Sequence, residues 1–347
     1  MMSKKPIGIC VAVLIAVSAG YLLLAINGYS SREGAIDDNA QGEIESPTDE
    51  RPIDSLVQDW DSESSPKWPV AELMAELCRV AYQPPVDVKS TFQELGFAKW
   101  ETIADGSMIG YVLIHQETAV VVFRGTDNKV DWLVNVTATS VPTANGPMHR
   151  GFSDAYRASD AGTPLKPQVD KILSEHAIEK VWISGHSLGG ALALVAADDL
   201  LNHHSIEIAG VVTFGQPAVA KSELANHLDR ELLGRYTRFV NHDDIVPRIP
   251  ITYQPCGRLV WFTDDGLKRS KPKRLVASSG GIPTSSPQGV DEVEMMSPEE
   301  FEQLRQRLEQ NQPTELPDGT VAYGTSFSPI SDHSMVDYCN EIENLLK

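Results

Sequence analysis

The chain has 347 residues, 41% of them apolar, and a net charge of −19 from 48 acidic against 29 basic side chains. This length and apolar content suit one large folded domain or two ordinary ones, and they exclude a disordered or collagen-like polymer. The acidic balance disfavours a nucleic-acid binder, which needs a basic face, and four cysteines are too few for a disulfide-dense scaffold.

The excess acid is concentrated. Residues 32–63 carry a net −9 and residues 280–330 a net −7, which leaves the rest close to neutral. Ahead of the first acidic stretch, Lys4 and Lys5 precede twenty uncharged residues, Ile7 to Ile26. As a helix this run spans about 30 Å, one bilayer core. Basic residues before it and Glu33, Asp37 and Asp38 after it argue for a cytoplasmic N-terminus and an exported domain. Residues 1–27 are therefore expected to be a signal-anchor or transmembrane segment. The protein would be membrane-anchored, with its folded domain on the periplasmic or extracellular side. The alternative is a secreted product, cleaved at the small residues Val17-Ser18-Ala19. Tyr21-Leu22-Leu23-Leu24 continues the apolar run past that point and favours the anchor.

Residues 28–66 are acidic and rich in Ser, Gly and Pro, and read as a flexible linker. The folded domain is expected over 67–347. Export implies an oxidising space. Cys78, Cys256 and Cys339 lie outside the apolar run and permit at most one internal disulfide; no pair is singled out.

Val70, Leu73, Met74, Leu77, Val80 and Ala81 recur at helical spacing until Pro84-Pro85. Ile109–His115 and Ala119–Phe123 flank a polar turn and read as a hairpin. Further strand-type runs are Val181–Ser184, Gly210–Phe214, Tyr236–Asn241 and Leu259–Thr263. Helical patterns fall between them at Gly151–Arg157, Gln168–His176, Leu188–Leu201 and Lys221–Leu233. Such alternation indicates an α/β class with a mostly parallel central sheet and helices on both faces. From about 264 to 330 the pattern decays into a partly disordered insertion. One island within it, Ser297-Pro298-Glu299-Glu300, has the cap, first-turn proline and third-residue glutamate of a helix start. A last helix is expected from about Ser334 to Leu346.

Gly185-His186-Ser187-Leu188-Gly189 fits the G-x-S-x-G nucleophile elbow, with a strand-type run before it and a helix-forming run after it. A serine hydroxyl needs a base to take its proton, and the base needs a carboxylate to hold it. On this architecture the chain order is Ser, then acid, then His. Asp243 and Asp244 follow the Tyr236–Asn241 run, and His333 is the last histidine, just before the final helix. An oxyanion needs two backbone N–H donors. Leu188 supplies one as the residue after the nucleophile, and the Val121–Thr126 strand end is the place for the other.

Several motifs occur together. They are Phe123-Arg124-Gly125-Thr126 with Asp131-Trp132; His149-x-Gly151-Phe152; the elbow extended through Gly190-Ala191-Leu192-Ala193; Phe214-Gly215-Gln216-Pro217; Asp244-Ile245-Val246-Pro247-Arg248-Ile249-Pro250; and Asp332-His333. In this order, over about 70–347, they resemble the class 3 (fungal-type) lipases of the α/β-hydrolase fold. The resemblance implies Ser187 as nucleophile, Asp244 as triad acid with Asp243 the runner-up, and His333 as base. It implies Thr126 as an oxyanion residue beside Leu188.

Three departures stand out. Ala218-Val219-Ala220 replaces the family's usual Arg-Val-Gly, the insertion before His333 is long, and the lid segment Asp127–Val136 is short. In that segment Trp132 and Leu133 are candidates for an apolar lid over the substrate; ordinary core is the other reading of Trp132. The expectation is a lipase-like carboxylester hydrolase acting on lipid esters, with phospholipase A1, galactolipase or general esterase activity as alternatives and an inactive tethered binding domain as a remote one. No metal or organic cofactor, no nucleic acid and no obligate protein partner is implied. The membrane is a partner through the N-terminal helix.

Overall fold

The computed structural model describes residues 52–57, 68–126, 139–158, 163–203, 206–270, 293–310, 314–315, 321–322 and 332–346. The expected N-terminal segment 1–27 lies outside them. Among the described residues no helix is long and apolar enough to cross a membrane.

The first ordered piece is a short 3-10 helix, Pro52–Val57. Its Ile53 is fully buried and its Leu56 nearly so. Ile53 packs into the space left by the missing side chain of Gly96, whose φ is +99°. This corrects the expectation of a flexible linker through residue 66. An apolar pair three residues apart inside an acidic run is enough to dock one turn.

Helix α1, Trp68–Val80, and helix α2, Val88–Glu94, follow. Strands β1 (Lys99–Asp105), β2 (Met108–His115) and β3 (Thr118–Phe123) form an antiparallel meander. Short strands β4 (Ser140–Val141) and β5 (Met148–His149) pair with each other and lead into α3 (Arg150–Arg157) and α4 (Leu165–Glu175). Next come β6 (Lys180–His186), α5 (Leu188–His203), β7 (Glu207–Phe214), α6 (Ser222–Glu231) and β8 (Tyr236–Asn241). The order continues with β9 (Arg258–Thr263), β10 (Gly266–Arg269), α7 (Pro298–Gln310) and α8 (Met335–Leu346).

One eight-stranded sheet runs β1-β2-β3-β6-β7-β8-β9-β10. Its centre, β3-β6-β7-β8-β9, is parallel throughout, and antiparallel strands form both edges. The parallel strands are apolar on both faces because helices cover both. One face packs Val121, Ile183 and Val211 with residues of α3 to α6; the other packs Val122, Trp182 and Phe214 with residues of α1, α2 and α8. This is the expected mostly parallel sheet with helices on both sides. Strands β1 and β10 and helix α2 escaped the sequence reading. β1 buries only Ile103 among its seven residues, so no apolar run marks it.

Helix α5 is buried all round over residues 188–200. Such a helix belongs in a core. Its two buried acids are compensated: Asp198 receives Arg157 at 3.2 Å, and Asp199 receives Arg157 at 3.4 Å and Lys166 at 2.7 Å. These pairs join α3 and α4 to α5. The island at Ser297 is a helix start as expected, with reciprocal bonds: Ser297 N–H donates to Glu300 Oε2 at 2.7 Å, and Glu300 N–H donates to Ser297 Oγ at 3.1 Å. Cys78, Cys256 and Cys339 are all buried, and no disulfide joins any two of them.

Candidate active site

Ser187 stands between the end of β6 and the start of α5, with φ +59°. Its N–H donates to Phe214 O at 3.0 Å, and its carbonyl accepts from Gly190 N–H at 2.9 Å. A left-handed backbone at a non-glycine residue is a strained turn held by its surroundings. The surroundings are glycines. A Cβ on Gly185 would collide with the backbone of Gly189, and a Cβ on Gly189 would collide with the carbonyl of Phe123. The turn therefore tolerates no side chain on either flank, which is the elbow's physical requirement. Leu188 begins α5, so its N–H has no intrahelical partner.

Asp244 follows β8 and is 1% exposed. Its Oδ1 accepts Val246 N–H at 2.9 Å. Its Oδ2 accepts twice, from His333 Nδ1 at 2.8 Å and from the Tyr338 hydroxyl at 2.6 Å. His333 is 0% exposed and precedes α8. Asn241 Nδ2 donates to Asp332 O at 3.0 Å and ties that loop to the end of β8. Asp243, the runner-up acid, is exposed and points away; its N–H donates to Asp332 Oδ2 at 3.2 Å.

Three side chains that the sequence did not single out complete the arrangement. Tyr338 Oη also accepts Asn241 N–H at 3.0 Å. Burial, with the adjacent Asp244 charge, pushes its phenol well above the usual range, so it stays a donor. His186 lies beside His333, ring centroids 4.5 Å apart. Tyr82, just past α1, reaches His186 Nδ1 at 2.8 Å. Position 186 lay inside a recognised motif; nothing in the local sequence around 82 or 338 marks a partner 104 or 94 residues away.

Gly125 lies beside the elbow. A Cβ there would fall 3.0 Å from Ser187 Cβ and 2.7 Å from His186 O. Thr126 is the next residue along the chain, three after the end of β3. The candidates Trp132 and Leu133 lie outside the described residues. A cavity of about 550 Å³ sits elsewhere, between Pro52–Val57, α1 and α8, and is lined by none of these side chains.

Residues 120–254, from β3 through the elbow to beyond Asp244, match the family model for lipase (class 3). This segment is therefore similar to the class 3 lipases. The lipase segment is similar to a lipase of Rhizomucor miehei, 32% identical over 159 residues, which are 43% of this chain and 43% of that protein. It is also similar to the chloroplastic phospholipase A(1) DAD1 of Arabidopsis thaliana, 28% identical over 172 residues, 42% of this chain and 38% of that one. The chain thus spans less than half the length of either relative. Among solved structures, the Lip2 lipase of Yarrowia lipolytica aligns with TM-score 0.48 and 23% identity, covering 58% of this chain and 80% of that chain.

Proposed function

We propose that the protein is a serine carboxylester hydrolase that cleaves acyl esters of glycerolipids. The observation that carries this reading is the buried Asp244–His333 contact of 2.8 Å, together with the strained turn that carries Ser187 after β6. Ser187 attacks the ester carbonyl. His333 takes its proton and returns it to the leaving alcohol, while Asp244 holds the imidazole through Nδ1 and stabilises its cation. The N–H groups of Leu188 and Thr126 receive the oxyanion. Water then repeats the sequence on the acyl-enzyme.

Ser187 is 1% exposed. The segment after Thr126, with Trp132 and Leu133, is our candidate for an apolar lid over the substrate. It predicts a rate that rises at an ester–water interface. The uncharged run Ile7–Ile26 supports export with a membrane tether; a secreted form is the alternative. The phospholipase A(1) relative supports a second substrate reading on the same site.

The test is a panel of short and long acyl esters and phospholipids on the full chain, with Ser187→Ala as control. Hydrolysis and fluorophosphonate labelling that both vanish in Ser187→Ala are expected. Absence of labelling in the wild-type protein would overturn the enzyme reading.

A further inference from the structure

His186 is 1% exposed and takes no part in the proton transfers above. Its two nitrogens have different partners. Nε2 lies 3.0 Å from the backbone carbonyl of His333, and Nδ1 lies 2.8 Å from the Tyr82 hydroxyl. A carbonyl oxygen only accepts, so Nε2 carries the proton. In the neutral ring Nδ1 is then an acceptor, and Tyr82 donates to it. The tautomer of one histidine is therefore set by a tyrosine just past α1, and that tautomer grips the backbone of the other histidine.

We propose that His186 is a positioning residue for His333, held in its donor tautomer by Tyr82. Two features of the site make this grip matter. The loop bearing His333 is also tied to the end of β8, by Asn241 Nδ2 on the carbonyl of Asp332, one residue earlier, and by Asp243 N–H on the Asp332 side chain. His186 and Asn241 thus fix two consecutive carbonyls, and with them the backbone that carries the His333 imidazole. The rings of His186 and His333 lie 4.5 Å apart, 31° from parallel, so His186 also limits how far the base tilts. Tyr82 is placed to keep the chain in register with the oxyanion side. Its hydroxyl fills the space that a side chain on Gly125 would take, next to Thr126. A small loss of geometry at a reacting centre costs on the order of 10²-fold in rate.

This inference rests on the Ser187–Asp244–His333 reading, and the experiment separates the two. Kinetics are measured on the full chain for Ser187→Ala, His186→Leu, His186→Gln, Tyr82→Phe and the Tyr82→Phe/His186→Gln pair. His186→Leu should lower kcat about 10²-fold with KM changed less than roughly threefold, the split expected for a group that acts on the reacting geometry. His186→Gln keeps an N–H for the His333 carbonyl and should recover most of the loss. Glutamine has no tautomers, so Tyr82→Phe should cost roughly tenfold in the wild-type background and less than about twofold in the His186→Gln background.

Wild-type turnover in His186→Leu overturns the inference, and so does a His186→Gln variant no better than His186→Leu. Activity that survives Ser187→Ala overturns the triad reading instead. If the leucine variant does not fold, nitrogen NMR on histidine-labelled wild-type protein still decides. A protonated Nε2 with a bare Nδ1 at His186 is expected, and the reverse tautomer refutes the proposal.

Discussion

Gly215 leaves the space that His333 occupies. A Cβ at that glycine would stand 2.7 Å from both Nδ1 and Cε1 of His333 and 2.8 Å from Asp244 Oδ2, and the backbone there has φ +54°. Gly215→Ala should therefore push the Asp–His pair aside. We expect a fall in kcat on the order of 10²-fold and a stability loss of about 1–2 kcal/mol from the left-handed backbone alone. Steady-state kinetics and urea unfolding on the same preparation check both. Wild-type turnover in this variant would mean that the pair does not act at this turn.

The two neighbouring acids make a paired comparison. Asp244 is buried against His333, whereas Asp243 is exposed. Asp244→Asn should cost about 10⁴-fold in kcat, because an amide holds the wrong imidazole tautomer. Asp243→Asn should change activity by less than about twofold, as exposed substitutions do. Comparable losses in both variants would contradict the assignment of the acid.

Tyr338 donates to Asp244 Oδ2 and accepts from Asn241 N–H. Tyr338→Phe removes a charge-assisted bond and leaves a buried amide without its acceptor. The expected destabilisation is about 2 kcal/mol, read from the urea midpoint at unchanged m-value, with a lower kcat. No change in midpoint would show that water replaces the hydroxyl.

Alkaline pH should unfold this protein. Burial raises the phenols of Tyr156, Tyr236 and Tyr338 and the thiol of Cys78 in the folded state. In the unfolded chain they titrate near their ordinary values, about 10 for phenol and about 8.5 for thiol. A raised folded pKa means that the folded state keeps a proton the unfolded state has lost. The contribution is fully present below the unfolded value and declines as pH rises toward the folded one. Each such group should cost about 1.4 kcal/mol per pH unit in that window. Denaturant unfolding from pH 7 to 11 should show a plateau and then a steep decline above about pH 9. A flat profile to pH 11 would contradict the burial of these groups.

Much of the arrangement was legible because it is written locally. The β6–Ser187–α5 elbow needs small residues at fixed offsets, and Gly185 and Gly189 stand there because nothing larger fits. The central strands are buried on both faces and so show unbroken apolar runs, as in Ala119–Phe123 and Val181–Ile183. The Ser297 cap was equally plain, since both its bonds span three residues. Edge strands have no such mark. β1 buries only Ile103 and pairs only with β2, and β10 pairs only with β9.

By itself, the sequence determined the alternation of strands and helices, the elbow at Ser187, the chain order of serine, acid and histidine, and two adjacent candidates for the acid. Tertiary structure alone decided that Asp244 turns inward and Asp243 outward. It also decided that Ile53 docks on Gly96, and that Tyr82, His186 and Tyr338 surround the candidate triad. The reason is physical. Turn and periodicity rules act over a few residues, whereas a hydrogen bond between α8 and the end of β8 exists only once the sheet and its covering helices have packed together.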